Sequence, residues 1–270
     1  MITTETNGCQ IYRFDNLSAF PRLKHFVSSR LGGLSEGAFD SLNTGFNTGD
    51  NNFLVLQNRR LLADAVGIDL FSFVFANQCH SGNIAIADET FRGKGAAEKE
   101  TAIPNTDALI TGSQKVCLAV QVADCVPVLL YDPEKHVAAA IHAGWKGTLK
   151  RIVGHALEKM MQTYNCHPEN TYAALGPSIG PCCYEVEHDV VRETEKAFGN
   201  TRGIIHGSEK PGKYIFDQWH AVNMQLETAG IKASHIETAG ICTKCNHQSF
   251  FSARAGQGTT GRYMAGIMLL

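Results

Sequence analysis

Two apolar runs on either side of a short polar turn constrain the fold of this chain most strongly. The runs are CVPVLLY (125–131) and HVAAAIHA (136–143), and DPEK lies between them. Asp132 suits the first position of a β-turn and Pro133 the second, so the pattern predicts a β-hairpin in which Asp132 faces Lys135. That register places Cys125 directly opposite His142, with Cβ atoms about 5 Å apart, close enough to share a metal ion.

The residues that follow His142 favour a ligand site at the end of the second strand. The chain continues through AGWKG into a strong helical pattern over residues 149–164, which Thr148 is placed to cap. Gly144 and Gly147 leave room for a ligand, and a helix N-terminus offers unpaired N–H groups to an anion. Without these features, Cys125 and His142 would be interpreted more simply as a buried free thiol and a hydrogen-bonded histidine.

The remaining periodic patterns indicate more strands than helices, without strict alternation between them. Helical spacing covers residues 54–65, 188–198 and 217–229, and strand patterns cover 71–78, 83–88 and the C-terminal RYMAGIMLL. Gly67 suits the end of the first of these helices. The arrangement predicts an α+β fold in which mixed β-sheets pack with helices in a layered sandwich, formed by a single domain over residues 1–270.

Composition excludes several classes of protein. The formal net charge of −2 is that of neither a nucleic-acid-binding nor an anionic-membrane-binding surface, and no apolar run approaches a membrane span. The first residues lack the pattern of a secretory signal. Nine cysteines without such a signal are typical of free thiols in a reducing compartment, so we expect a cytoplasmic protein.

Several long motifs together resemble one known family. They are SSRLGGLSEGAFDSLNTGFNTGD (28–50), NQCH (77–80), TDALIT (106–111), ADCVPVLLYDP (123–133), HAGWKGT (142–148), GPSIGPCCYEV (176–186) and TGRYMAGIML (260–269). The chain resembles the YfiH-like family, formerly described as multicopper polyphenol oxidase or laccase and now as purine nucleoside phosphorylase. Ser81 departs from the glycine that the family usually has after the histidine of NQCH.

This resemblance implies a site, an activity and a fold. The site is a zinc ion held by His80, Cys125 and His142. The activity is phosphorolysis of adenosine, inosine and 5′-methylthioadenosine, with a secondary adenosine deaminase activity. The fold is the α+β sandwich shared with the catalytic domain of cytotoxic necrotizing factors. Three protein ligands leave one zinc position open, which is typical of a catalytic site.

The older laccase description does not agree with the histidine spacing. Multicopper oxidases build their trinuclear centre from His-X-His pairs, and none of the eleven histidines here lies two residues from another. One mononuclear site is all that the sequence supports. Copper stays possible at that site, because imidazole and thiolate also suit it.

Two further roles need candidate residues. Asp124 and Glu185 are the candidates for moving a proton, although Asp124, adjacent to Cys125 in a strand, would point to the opposite face and support the ligands instead. Lys146, Arg254 and Arg262 are the candidates for binding phosphate, helped by the N–H groups of residues 147–149.

A second group of cysteines has two interpretations. CTKC contains Cys242 and Cys245 in C-x-x-C spacing, and Cys182 and Cys183 are adjacent in GPCCYEV. The four could form a structural zinc site, or they could be free thiols.

Two other functions compete with the phosphorylase. A metal-free cysteine hydrolase or deamidase would use Cys125 as nucleophile and His142 as base. A non-catalytic protein that binds zinc or nucleoside would show binding without turnover. The second imidazole, His80, favours the zinc enzyme, because a Cys–His dyad needs only one.

Overall fold

The strands and helices follow one another without strict alternation in a computed structural model that describes residues 1–270. The strands are β1 (Ile2–Thr6), β2 (Cys9–Arg13), β3 (Leu23–Ser28), β4 (Phe73–Phe75), β5 (Ile84–Ile86), β6 (Ala108–Thr111), β7 (Cys117–Val122), β8 (Val126–Asp132), β9 (Val137–Ala143), β10 (Tyr172–Leu175), β11 (Glu185–Val186), β12 (Ile205–Gly207), β13 (Tyr214–Phe216), β14 (Ile236–Thr238) and β15 (Tyr263–Leu269). The helices are α1 (Asp15–Ser18), α2 (Asn52–Val66), α3 (Trp145–Leu149), α4 (Ile152–Tyr164), α5 (His188–Phe198) and α6 (Gln218–Thr228). No helix combines the length and apolarity that crossing a bilayer requires.

The strands form two large sheets and one small one. The first large sheet has the order β1-β2-β3-β15-β7-β4, and the second has the order β14-β10-β8-β9-β6-β5. Both are mostly antiparallel, with parallel pairs at β4 and β7, at β10 and β14, and at β5 and β6. The small sheet, β11-β13-β12, is antiparallel. The sheets are therefore mixed, as the sequence predicts.

The two large sheets pack face to face, and helices cover their outer faces. Alternate side chains of β7 show this: Leu118 and Val120 lie in the core between the sheets, whereas Cys117 and Ala119 pack towards α2. The outer face of the second sheet packs against α4 and α6. A separate apolar cluster joins α5 to the small sheet. This arrangement confirms the predicted α+β layered sandwich.

The predicted hairpin exists, but its register differs by two residues. Strand β8 pairs with β9 so that Asp132 faces Val137 and Pro127 faces His142. The turn is longer because the Asp132 carboxylate accepts hydrogen bonds from the backbone N–H groups of Glu134 and Lys135, at 2.9 Å each. Cys125 precedes β8 and is not paired directly with His142. Because a slip of two residues preserves the face, both still point towards the space between the sheets.

The helix predicted over residues 149–164 is two helices. α3 ends at Leu149, and α4 begins at Ile152 after Arg151, which has a left-handed backbone with φ of 56°. Thr148 therefore lies inside α3 and does not cap the longer helix. Apolar periodicity continues across the break, so the sequence pattern alone conceals it. The helices predicted near residues 54–65, 188–198 and 217–229 are confirmed as α2, α5 and α6.

Candidate active site

His142 is held by a carboxylate that sequence reasoning did not single out. It lies on β9, is almost completely buried, and its Nδ1 atom is 2.7 Å from Oδ1 of Asp107. Asp107 immediately precedes β6, the strand that pairs with β9, so sheet pairing brings the two together. Burial would raise the pKa of Asp107, but hydrogen bonds from His142 and Ser81 hold it well below its usual range. Asp107 is therefore an anion that fixes the imidazole ring.

The same carboxylate also organises the loop that carries His80. The backbone N–H groups of Cys79, His80 and Ser81 donate to its oxygens at 3.2, 3.1 and 2.6 Å. The Ser81 hydroxyl adds a fourth bond at 2.7 Å. His80 has a left-handed backbone with φ of 60°, a conformation that costs free energy and that these bonds help to hold. Asp107 thus positions two of the three predicted ligands.

Cys125 completes the group. Its sulfur lies 3.7 Å from Nε2 of His80, and the candidate ligand atoms of His80, Cys125 and His142 all lie within 4.8 Å of one another. The two imidazole rings meet edge to face with centroids 4.8 Å apart. A Cβ atom on Gly144 would lie 2.6 Å from Cδ2 of His80 and 3.1 Å from the Cys125 sulfur. The space that Gly144 leaves is therefore filled by the ligands themselves.

The charges of this group favour a thiolate. Burial would raise the pKa of Cys125, but the neighbouring imidazoles of His142 and His80 lower it to about 6. Burial would lower the pKa of His142, but the charges of Cys125 and Asp107 raise it to about 9. A thiolate is the form of cysteine that binds metals and attacks electrophiles.

The donor set fits a metal ion. Two imidazoles and one thiolate converge, and one imidazole gives its other nitrogen to a carboxylate, as metal-binding histidines usually do. The residues His80, Cys125 and His142 could therefore hold a metal ion, as the sequence predicts.

The three residues line a cavity of about 710 Å³, a volume within the range of small-molecule sites. Arg254, Arg262 and Tyr184 line the same cavity. Arg262 donates through Nη1 to the carbonyls of Thr260 and Gly261, at 2.9 Å each. Arg254 donates through Nη1 to the carbonyl of Glu185 at 3.0 Å. Each guanidinium keeps Nε and Nη2 without a protein partner.

Asp124 lines the cavity but is engaged on both oxygens. Oδ1 accepts from the Thr243 hydroxyl and Oδ2 from the backbone N–H of Arg254, both at 2.7 Å. Its backbone is left-handed, with φ of 84°, which redirects the chain just before Cys125. Asp124 therefore connects the Cys125 segment to the Arg254 loop. The predicted placement on the opposite face of a strand is wrong, because Asp124 precedes β8 and lines the same cavity as Cys125.

Two predicted residues lie outside the cavity lining. The Glu185 carboxylate pairs with Lys210 at 3.0 Å, and only its backbone carbonyl contacts a cavity residue. Lys146 lines a separate surface depression with residues of α5, and its Nζ lies 5.5 Å from the Trp145 ring. The N–H of Thr148 donates to the carbonyl of Gly144, so it is not free for an anion. Neither the Glu185 nor the Lys146 side chain is therefore placed to bind phosphate or move a proton in this cavity.

The four cysteines of the second predicted group also come together. The sulfurs of Cys182, Cys183, Cys242 and Cys245 lie within 4.8 Å of one another.

Sequence reasoning missed Asp107 and Tyr184. Asp107 stands in TDALIT and Tyr184 in CCYEV, both inside motifs that carry the family resemblance. A signal for Asp107 did exist, because a histidine that binds a metal usually needs a carboxylate for its second nitrogen. Only the pairing of β6 with β9 shows which carboxylate meets that need.

Comparisons with known proteins identify the family of this chain. A family model described as multi-copper polyphenol oxidoreductase laccase matches residues 24–270. Purine nucleoside phosphorylase YlmD of Geobacillus stearothermophilus is 37% identical over 241 residues, covering 89% of this chain and 88% of that protein. Adenosine deaminase RL5, from an unknown prokaryotic organism, is 37% identical over 230 residues, covering 85% and 87%.

The fold of this chain is also similar to that of a solved structure. The crystal structure of YlmD from Geobacillus stearothermophilus matches with a TM-score of 0.93 and 34% identity, over 98% of this chain and 97% of that one. The chain therefore belongs to the multi-copper polyphenol oxidoreductase laccase family, the YfiH-like family that its sequence motifs predict.

Proposed function

We propose that this chain is a zinc-dependent purine nucleoside phosphorylase that accepts adenosine, inosine and 5′-methylthioadenosine and also deaminates adenosine. The names of its relatives support action on purine nucleosides. The observation that carries the proposal is the convergence of His80, Cys125 and His142 in a cavity that two arginines also line. The whole chain, residues 1–270, would act as one domain, in a cytoplasm that keeps its cysteines reduced.

The arginines supply the phosphate side of the reaction. In phosphorolysis a phosphate oxygen forms a bond to C1′ of the ribose, and the bond from C1′ to the purine nitrogen breaks. The unpartnered Nε and Nη2 groups of Arg254 and Arg262 suit bidentate contact with an anion. Because their Nη1 groups are fixed by backbone carbonyls, both guanidiniums are held in place before phosphate arrives.

The other lining residues suit a nucleoside. Tyr184 is half-buried, and its ring offers a face on which a purine can stack. The side-chain amides of Asn47 and Gln257 line the cavity without protein partners and can bind ribose hydroxyls. Asp124 positions the Arg254 backbone and thereby keeps the anion site next to the thiolate.

A zinc ion held by His80, Cys125 and His142 would supply Lewis-acid chemistry, stabilising negative charge that develops on the substrate. Asp107 keeps His142 oriented with Nε2 available as a donor to a metal. Copper is compatible with the same donors.

One observation favours a second candidate function. Asp107, His142 and Cys125 form a chain of carboxylate, imidazole and thiol, which is the arrangement of a cysteine hydrolase or deamidase. That mechanism leaves His80 without a role, although His80 lies 3.7 Å from the Cys125 sulfur.

One experiment separates these candidates. Purified protein is incubated with adenosine, with and without phosphate, before and after chelation, while adenine, hypoxanthine and inosine are measured. Phosphate-dependent and chelator-sensitive release of adenine supports the zinc phosphorylase. Activity that resists chelation but not iodoacetamide supports the cysteine enzyme. Binding of zinc or nucleoside without any turnover supports the non-catalytic protein.

A matched pair of variants sharpens the result. His80→Ala removes a zinc ligand but leaves the Cys125 and His142 pair intact, so it should abolish the zinc reaction and spare the cysteine reaction. His155→Ala, on the exposed side of α4, is the control and should behave like wild type.

A further inference from the structure

Four cysteines from two distant segments meet on the surface beside the candidate active site. Cys182 and Cys183 follow Gly180 in one loop, and Cys242 and Cys245 belong to a turn that leads to Arg254. The Cys245 sulfur lies 3.6 Å from that of Cys182 and 3.5 Å from that of Cys183. Cys242 is buried, and Cys182 and Cys245 are exposed.

These distances match a tetrahedral metal site better than a disulfide. Two sulfurs of a disulfide lie about 2.05 Å apart. Four sulfurs at about 2.3 Å from one zinc ion lie about 3.8 Å from each other. All four sulfurs lie within 4.8 Å of one another, so a small contraction would complete the tetrahedron.

Spacing and strand pairing also favour a metal site here. Cys242 and Cys245 stand in C-x-x-C spacing, which is typical of structural zinc sites. A backbone bridge between Ser178 and Cys242 already aligns the two segments.

We propose that Cys182, Cys183, Cys242 and Cys245 bind a structural zinc ion, separate from the one proposed at His80, Cys125 and His142. With four protein ligands the site is closed, so its zinc would have no position for substrate.

This second site would hold one wall of the cavity. Tyr184 follows Cys183 directly, and the Arg254 guanidinium lies 5.3 Å from the Tyr184 ring centroid. Thr243, inside the C-x-x-C turn, donates to Asp124, which in turn holds the Arg254 backbone. Zinc bound to the four cysteines would therefore tie the Tyr184 and Arg254 segments together.

The test measures metal content and sulfur coordination rather than activity. Protein is purified with a reductant and zinc, excess metal is removed, and bound zinc is counted by mass spectrometry under native conditions. Wild type is expected to hold two zinc ions per chain. Cys182→Ser with Cys245→Ser should lose one of them, and Lys244→Ser, an exposed change within the same turn, should lose none.

A reciprocal variant, altered at the candidate active site, keeps the test decisive if the protein with Cys182→Ser and Cys245→Ser does not fold. Cys125→Ser with His142→Ala should retain one zinc ion, and X-ray absorption at the zinc edge should show four sulfur neighbours at about 2.3 Å. A reciprocal variant without zinc overturns the proposal. So does peptide mapping of reduced, zinc-loaded wild type in which all four thiols are alkylated as fast as in the zinc-free protein.

Discussion

The Nδ1 atom of His142 lies 2.7 Å from Oδ1 of Asp107, and the same carboxylate accepts the backbone N–H of His80 at 3.1 Å. One buried anion therefore positions two imidazoles that come from segments 62 residues apart.

Replacing this anion should weaken metal binding. Asp107→Asn keeps the shape of the side chain but removes the charge that orients His142, so zinc affinity should fall by about 10- to 100-fold. Competition with a chromogenic chelator measures the change. Asp189→Asn, an exposed residue in the first turn of α5, is the matched control. Zinc affinity of Asp107→Asn equal to wild type would contradict the role given to this carboxylate.

Adding one methyl group at Gly144 should disrupt the site without unfolding the protein. Gly144 has an ordinary backbone conformation, φ −75° and ψ 168°, so alanine is allowed there, but its Cβ would overlap the His80 ring. Displacing a ligand by about 1 Å can lower kcat/KM by about 100-fold. Steady-state phosphorolysis and thermal unfolding of Gly144→Ala measure the two effects.

Gly154→Ala is the control for that substitution. Gly154 lies within α4 with open space where Cβ would be, so alanine should stabilise the helix by up to ~1 kcal/mol and leave activity unchanged. A Gly144→Ala protein with full activity and full zinc content would show that the ligands tolerate the displacement.

The guanidinium of Arg254 should matter for its shape as well as its charge. Arg254→Lys keeps the positive charge but loses the bidentate contact and the bond to the Glu185 carbonyl, so the KM for phosphate should rise about tenfold, which is 1.4 kcal/mol. Arg192→Lys, on the exposed face of α5, is the control. An unchanged KM for phosphate would place the anion elsewhere in the cavity.

Acid should destabilise the fold through His25, a residue of β3 that does not line the cavity. Burial and the charge of Arg13 lower the pKa of His25 from 6.5 to about 4. Its Nε2 accepts the Phe14 N–H at 2.8 Å, which requires an unprotonated nitrogen. As the pH falls, His25 takes up a proton in the unfolded chain before it does so in the folded protein. The contribution of neutral His25 to folding stability is therefore complete above pH 6.5 and is lost as the pH falls towards 4.

The size of this effect is measurable. A difference between pKa values of 6.5 and about 4 corresponds to ~3 kcal/mol of stability between the two limits. Urea unfolding at several pH values should show a shallower pH dependence for His25→Gln than for wild type. If the free energy of unfolding falls equally with pH in the two proteins, His25 is not the group responsible for the loss of stability in acid.

Local patterns predicted the elements of the fold well. The ranges predicted for α5 and the C-terminal strand agree closely with His188–Phe198 and Tyr263–Leu269. Periods of 3.6 and 2 residues report which side of a helix or strand is buried, and burial is a property that neighbouring residues share. The same patterns did not reveal the break at Arg151 or the longer turn after Asp132, because a left-handed residue or a side chain bonded to the turn leaves the apolar period unchanged.

The sequence by itself therefore determined the layered α+β class and the face on which Cys125 and His142 lie. Through its family motifs it also selected His80, Cys125 and His142 as candidate metal ligands. Only the tertiary structure decided that Asp107 holds two of these residues, that four distant cysteines meet, and that Lys146 and Glu185 stay outside the cavity. The physical reason is that hydrophobic periodicity reflects only how residues close together in the chain are buried. Contacts between polar side chains depend on strand pairing and loop geometry that join residues far apart in sequence.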